Sequence, residues 1–423
     1  MGEYSLKCPK CGSVFEDKYT NSCPDGCSSL IKAEYKQKKL RIRDLPGMFR
    51  YHDWLPVEDC RNVGTKPVTY KSRELSRELG IKNLYICFNG YNPDINAAVK
   101  SCSFKELEAV PTMLRMKEKG SGIIQVSSAG NTARAFCEVS AATGMPVIAV
   151  VPKYAKDNIW TTVPAGDVLM ITVDGDYTDA IEFGNRLCSI NGVVAEGGAK
   201  NPARRDGMGT TLLDCAVAAG RIPDWYFQAV GSGTGAIAAF EMSERLIEDG
   251  RYGGKLPRLY LSQNDVFAPI VNAWKERRRE IIPDKDMPDA KNSAMKAYSP
   301  VLTNRTPPYS VFGGLFDALT ATDGITVPVP RDKAESAGKL FEEVEGPDLD
   351  PAAAVCLASL LDVSEKGTFK PEDTVMLNIT GGGYRRARED FDIIKVNPSF
   401  EASAGDDISK ISSDVAKWVK RYV

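Results

Sequence analysis

With 423 residues, 43% hydrophobic and 26% charged, the chain is long enough for two or three domains and has the profile of a globular protein. Its 54 basic and 56 acidic residues leave a net charge of −2, without the basic excess of a nucleic-acid binder. It contains no run of about 18 apolar residues that would suggest a membrane span. The single histidine, His52, excludes a histidine-rich metal site and leaves a Ser-His-Asp hydrolase without a base unless His52 serves it. Its neighbours Phe49, Tyr51 and Trp54 point to a packing role.

The N-terminal stretch 1–10 is polar and lacks the apolar core of a signal peptide, so the expected location is cytoplasmic. In such a chain eleven cysteines point to metal or buried thiols rather than to a disulfide framework. Residues 1–37 read as a separate unit. Cys8 and Cys11 enclose two residues, Cys23 and Cys27 enclose three, and eleven residues separate the pairs. Each pair adjoins a turn, at Gly12 and at Pro24-Asp25-Gly26. Four thiolates on two such knuckles suit tetrahedral zinc, and the metal would supply stability that so short a unit lacks.

Lys105, in Ser103-Phe104-Lys105, stands at the mouth of an expected helix. From about residue 120 strands and helices alternate. Residues 122–126 read as a strand, 131–143 as a helix and 146–151 as an apolar, β-branched strand buried on both faces. The strand 168–173, the helix 178–187 and the strand 192–195 follow. A second series begins at strand 225–230, passes through a glycine loop into a helix ending near 247, and includes strands at 259–261 and 375–379. This alternation implies largely parallel sheets with right-handed crossovers, in two domains with a cleft between them.

Three loops join Lys105 in carrying chemistry. Gly231, Ser232, Gly233, Thr234 and Gly235 follow a strand and open a helix, where free N–H groups and the helix dipole favour an anion. The third glycine falls one place early for a dinucleotide fingerprint and no Walker lysine follows, so a single phosphate fits better. Ser127, Ser128, Ala129, Gly130 and Asn131 repeat the strand-to-helix geometry. The N–H groups of Ser128, Ala129 and Gly130 suit a carboxylate and Asn131 offers an amide, although an ordinary helix cap would read the same. Thr380 ends an apolar strand before three glycines, at the sheet end where ligands of open α/β folds bind; a threonine of high β-propensity before a turn is the alternative. Together these segments supply an amine, an amide, a phosphate cradle and a hydroxyl, the groups needed to hold pyridoxal phosphate.

Their order and character resemble the fold-type II pyridoxal-phosphate enzymes, and within them the threonine synthase branch. The likeness covers almost the whole chain. It includes the cysteine knuckles, Phe49-Arg50-Tyr51, a degenerate G-x-T-P-L at Gly64-Thr65-Lys66-Pro67-Val68, and Asn201-Pro202-Ala203-Arg204-Arg205-Asp206-Gly207, similar to N-P-Y-x-x-E-G. The resemblance implies a tryptophan synthase beta-like α/β fold, with two doubly wound, mostly parallel-sheet domains, the cofactor cleft between them, and a small N-terminal cysteine ribbon. It implies a large cofactor-binding domain from 38–110 with 195–423, and a small α/β domain at 111–194. By the same resemblance Lys105 forms the Schiff base, Asn131 meets the cofactor's phenolic oxygen, the loop 231–235 holds its phosphate, and Thr380 bonds its pyridine nitrogen. A homo-oligomer is implied as well.

The chain also departs from the branch. The family pattern N-P-T-G-S-F-K-D-R is split here, because residues 94–102 separate Asn92-Pro93 from Ser103-Phe104-Lys105, and Glu106-Leu107 replace Asp-Arg. The altered side borders the substrate. It is most similar to an archaeal relative that acts on O-phosphoserine and sulfite in coenzyme M biosynthesis. Threonine formation from O-phosphohomoserine, or another β-replacement such as cysteine formation from sulfide, are the alternatives. Two anionic substrates need cations or aimed N–H groups. The candidates are Lys100 and Arg134 together with Ser128, Ala129 and Gly130, with Arg205, Arg385 and Arg386 flanking other site segments.

Overall fold

The computed structural model describes residues 3–60 and 64–423. Residues 1 and 2 of the N-terminal unit lie outside the described residues. The rest of that unit is an antiparallel sheet in the order Val14–Phe15, Tyr4–Lys7, Lys32–Tyr35. It does not stand apart: Leu6, Leu30, Ile31 and Tyr35 share a core with Leu212, Leu213 and Met242 of the main body. The Tyr35 hydroxyl donates to Asp206 at 2.6 Å, and Arg115 pairs with Asp17 at 2.6 Å.

The larger sheet runs Ile325–Val329, Arg258–Asn264, Trp225–Ala229, Thr374–Ile379, Asn83–Phe88, Val68–Lys71. Its first five strands are parallel and the last is antiparallel at the edge. The smaller sheet runs Val193–Ala195, Ile123–Ser127, Val147–Pro152, Val168–Asp174, Phe400–Ser403, all parallel. Its central strand shows why the apolar run folds this way. Every residue of Val147–Pro152 is buried. Val147, Ala149 and Val151 pack toward Val110, Leu114, Ala133 and Phe136, whereas Ile148 and Val150 pack toward Phe183, Val415 and Val419. Side chains alternate across a strand, so a strand covered by helices on both faces must be apolar throughout.

Two domain expectations need correction. The boundary at 110/111 falls inside the helix Lys105–Lys119. The tail of 195–423 does not stay with the larger sheet: Phe400–Ser403 pairs with Val168–Asp174, and Val415 and Val419 of the helix Ser409–Val419 complete the smaller sheet's core. A pairing between segments so far apart in sequence leaves no local signature.

The helix Lys105–Lys119 packs on Pro202–Ala219 with an unusually close approach. Pro111 lacks the N–H that would bond the Leu107 carbonyl, and Gly207 fills that gap. A Cβ on Gly207 would lie 2.1 Å from the Leu107 oxygen and 2.6 Å from the Pro111 ring. This seat fixes the helix that begins with Lys105. No helix among the described residues is long and apolar enough to cross a membrane.

Candidate active site

A cavity of about 460 Å³ is lined from both sheets at the carboxyl ends of their strands. Ser127 to Asn131 follow Ile123–Ser127, the glycine loop follows Trp225–Ala229, and Thr380 follows Thr374–Ile379. Lys105, Ser128, Ala129, Gly130, Asn131, Gly231, Ser232, Gly233, Thr234, Gly235 and Thr380 all line it. The lysine is held against the Thr380 turn: the Phe104 N–H donates to the Thr380 carbonyl at 2.9 Å, and Ser103 bridges Gly381.

Lys105 Nζ is 3.4 Å from Glu108 Oε2 and 4.8 Å from the centre of the Phe104 ring. Burial lowers its pKa, Glu108 opposes that shift, and Arg204 adds to it. Glu108 is fully buried and pairs with Arg204 at 2.7 Å, while Arg204 also holds Glu196. Burial would discharge Arg204, yet Glu108 and Glu196 raise its pKa above the ordinary value. Tyr177 closes this side, and burial pushes its hydroxyl up to about 12. The sequence reading missed Glu108, Arg204, Glu196 and Tyr177. The spacing of Glu108, one helical turn after Lys105, was the available signal.

The glycine loop has the form of an anion cradle. Gly233 takes φ +77°, and a Cβ there would lie 2.5 Å from Leu315, while a Cβ on Gly231 would lie 2.8 Å from the Val301 carbonyl. The helix Thr234–Asp249 begins here after Gly233, which has no side chain to cap it; the Ser232 hydroxyl accepts from the Thr234 N–H at 3.3 Å and lies 2.9 Å from the Thr234 hydroxyl. A phosphate would meet N–H and O–H donors and the positive end of a helix. Asn131 Nδ2 donates to Asp350 at 3.1 Å and its Oδ1 accepts from Arg134 at 2.6 Å. An amide has two N–H bonds, so one remains for the cavity. Asp350 also accepts from the Tyr384 hydroxyl at 2.7 Å. These residues fit pyridoxal phosphate.

The proposed cationic residues separate into two groups. Arg134 and Lys100 do not line the cavity. Arg134 is buried, with its guanidinium donating to Ser101, Asn131, Asn158 and Tyr384 and lying over the Trp160 ring, so it is tied into the wall and positions Asn131. Lys100 lies over the Phe391 ring. Arg205 pairs with Glu241, Arg385 with Glu342, and Arg386 with Asp390. The cations on the cavity wall are Lys105, Arg204 and the exposed Lys200. The inserted stretch folds as a hairpin, Tyr91–Asn92 with Ala97–Ala98, outside the cavity wall. His52 is buried in the 3-10 turn Gly47–Trp54, also away from the cavity.

Two further features were not legible in the loops. Ser28 and Leu30 of the N-terminal ribbon, and Val301 and Leu302 of a long connection, complete the cavity wall. In the ribbon the sulfur atoms of Cys8, Cys11, Cys23 and Cys27 lie within 4.8 Å of one another, and all four thiols are free. Four converging thiols are a donor set that zinc takes.

Residues 61–381 match the family described as pyridoxal-phosphate dependent enzyme. The chain is 55% identical over 404 residues to a cysteate synthase of Methanoculleus marisnigri, covering 96% of this chain and 94% of that one. It is 53% identical over 422 residues to a cysteate synthase of Methanospirillum hungatei, covering 100% of each. Among solved structures, a serine racemase from Dictyostelium discoideum shares the fold at 16% identity and a TM-score of 0.53, over 75% of this chain and 92% of that one. A maize serine racemase does so at 14% identity and a TM-score of 0.55, over 84% of this chain and 93% of that one. The chain therefore belongs to the pyridoxal-phosphate dependent enzymes and, within them, to the cysteate synthase family.

Proposed function

We propose that the chain converts O-phospho-L-serine and sulfite to L-cysteate and phosphate, in the cytoplasm, as a homo-oligomer serving coenzyme M biosynthesis. The observation that carries this reading is the cavity itself, in which Lys105, Asn131, the loop 231–235 and Thr380 face one space. Lys105 is the covalent anchor, Asn131 meets the cofactor's phenolic oxygen, the loop holds its phosphate, and Thr380 bonds its ring nitrogen. Pyridoxal phosphate, when bound, supplies the electron sink for charge left on the substrate's Cα.

The chain's own residues do the rest. Lys105 Nζ, made less basic by burial, takes the Cα proton and later returns it. Glu108, 3.4 Å from that nitrogen and fixed by Arg204, stabilises the ammonium in between. The N–H groups of Ser128, Ala129 and Gly130 orient the substrate carboxylate. Lys200 at the mouth has no ion-pair partner among the described residues and offsets the charge of phosphate and sulfite. The Cβ–O bond breaks, phosphate leaves with the electron pair, and the sulfite lone pair forms the new C–S bond. No external oxidant or reductant is required. A hydroxyl at Thr380 does not hold the ring nitrogen protonated as a carboxylate would, which suits elimination and replacement better than transamination.

Purified holoenzyme given O-phosphoserine and sulfite should release cysteate and phosphate in equal amounts. Threonine from O-phosphohomoserine with no cysteate, or turnover with sulfide in preference to sulfite, would overturn the assignment.

A further inference from the structure

The four N-terminal cysteines and one edge of the cavity wall belong to one continuous stretch of chain. Cys27 closes the second knuckle, and the next residue, Ser28, lines the cavity together with Leu30. Between them Ser29 bridges Phe312, and the Leu30 N–H donates to the Phe312 carbonyl at 2.9 Å. Phe312 directly follows Val311, itself a cavity residue in the connection that supplies Val301 and Leu302. Ser28 is exposed and makes no hydrogen bond through its hydroxyl among the described residues, so that group is free to meet a ligand.

The sulfur geometry suits a metal. Cys11 and Cys23 sulfurs are 3.6 Å apart, and all four lie within 4.8 Å. A tetrahedral zinc site, with its short Zn–S bonds, spaces its sulfurs by about 3.8 Å, so little movement separates this cluster from a coordinated one. The two knuckles are already turned inward: the Gly12 N–H donates to the Cys8 carbonyl at 2.8 Å and the Gly26 N–H to the Cys23 carbonyl at 3.0 Å.

We propose that these cysteines bind one zinc ion and that this ion holds Ser28, Leu30 and the Phe312 connection in place as the substrate-side wall, making the ribbon part of the amino-acid binding site. This rests on the reading that a phosphorylated amino acid occupies the cavity. Cofactor attachment is separate, because Lys105, the loop 231–235 and Thr380 are carried by elements of the main body. Metal loss therefore weakens substrate binding and spares the cofactor.

The experiment uses the holoenzyme and needs no turnover. Zinc is measured by elemental analysis, cofactor by its visible absorption, and O-phosphoserine affinity by the change in that absorption on titration. Wild type should carry one zinc per chain. Cys11→Ser, at an exposed ligand position, should lose the zinc, keep the visible band, and bind O-phosphoserine on the order of tenfold more weakly, the equivalent of one or two lost contacts. Ser28→Ala should keep both zinc and cofactor and weaken O-phosphoserine about threefold, as for one neutral hydrogen bond. Wild-type holoenzyme without zinc overturns the metal site. A zinc-free Cys11→Ser that binds O-phosphoserine as wild type does, with an unchanged melting curve, overturns the coupling. If both variants behave as expected but no cysteate forms with sulfite, the ribbon's role stands and the nucleophile assignment fails.

Discussion

Arg204 and Arg205 are consecutive on one helix and both are buried, yet they belong to different parts of the molecule. Arg204 faces the cavity, pairs with Glu108 and Glu196, and bears on the charge of Lys105. Arg205, rotated about 100° around the helix, pairs with Glu241 and donates to the carbonyls of Ala199 and Ile31. One bears on the charge of Lys105 and the other ties the ribbon to the body. Residue type and burial do not distinguish them; their partners do.

The Arg204 side of this division ends at Lys105, whose loss should have the largest effect. Lys105→Ala removes the amine that we propose holds the cofactor and moves the Cα proton. Turnover should fall by roughly 10³-fold or more, as for loss of a positioned base and covalent group, and the visible band of the lysine-bound cofactor should vanish. A variant that kept the band would place the covalent anchor elsewhere.

Next come the arginines themselves. Arg205→Met leaves Glu241 buried without its partner and should destabilise the fold by about 3–5 kcal/mol, read as a lower denaturant midpoint. The pH at which cofactor-free protein takes up pyridoxal phosphate should stay where it was. Arg204→Met should destabilise the fold too, but it should also move that pH upward, because Arg204 is one of the charges lowering the Lys105 pKa. If both variants shift the uptake pH equally, the division between them is wrong.

Glu106 and Glu108 repeat the lesson on the helix Lys105–Lys119. Glu108 has cations on both sides. Glu106 accepts from the Thr65 hydroxyl and the Ser101 N–H, has no ion-pair partner among the described residues, and is pushed up to about 7 by burial, reinforced by Glu138. Its folded pKa lies above the unfolded value, so the folded state binds the extra proton. The stability this contributes is complete below pH 4.5 and is lost as the pH rises to 7, a change on the order of 3 kcal/mol. Glu106→Gln should flatten that part of the stability curve, measured by denaturant midpoint at several pH values. An unchanged slope would mean that Glu106 is ionised throughout.

Much of this architecture could be read from the sequence, because local rules wrote it. The apolar run at 146–151, the glycines at 231, 233 and 235 and the threonine at 380 carry their places in the fold in their neighbours, as a buried strand and as strand ends that line the cavity. Other parts depend on distance. Phe400–Ser403 joins the smaller sheet through a pairing no window can see, and Ser28 reaches the cavity only because the ribbon docks on the main body. Charge was the least legible. Arg134 and Lys100 sit near site segments in sequence but point into packed surroundings, whereas Arg204, which reaches the cavity, stands in a stretch read only as a family likeness, and Lys200, which also reaches it, lies just before that stretch.

The smallest effect tests a contact within a single helical turn, between Lys105 and Glu108. Glu108 raises the Lys105 pKa while burial and Arg204 lower it, so Glu108→Gln removes the contribution that favours the ammonium. The neutral amine is the form that attacks a carbonyl. In cofactor-free protein the pH of half-maximal uptake rate, followed by visible absorbance, should therefore move down, opposite in sign to the Arg204→Met shift. A shift upward, or none, would show that Glu108 does not hold the lysine's proton and that its place beside Lys105 serves only to bury Arg204.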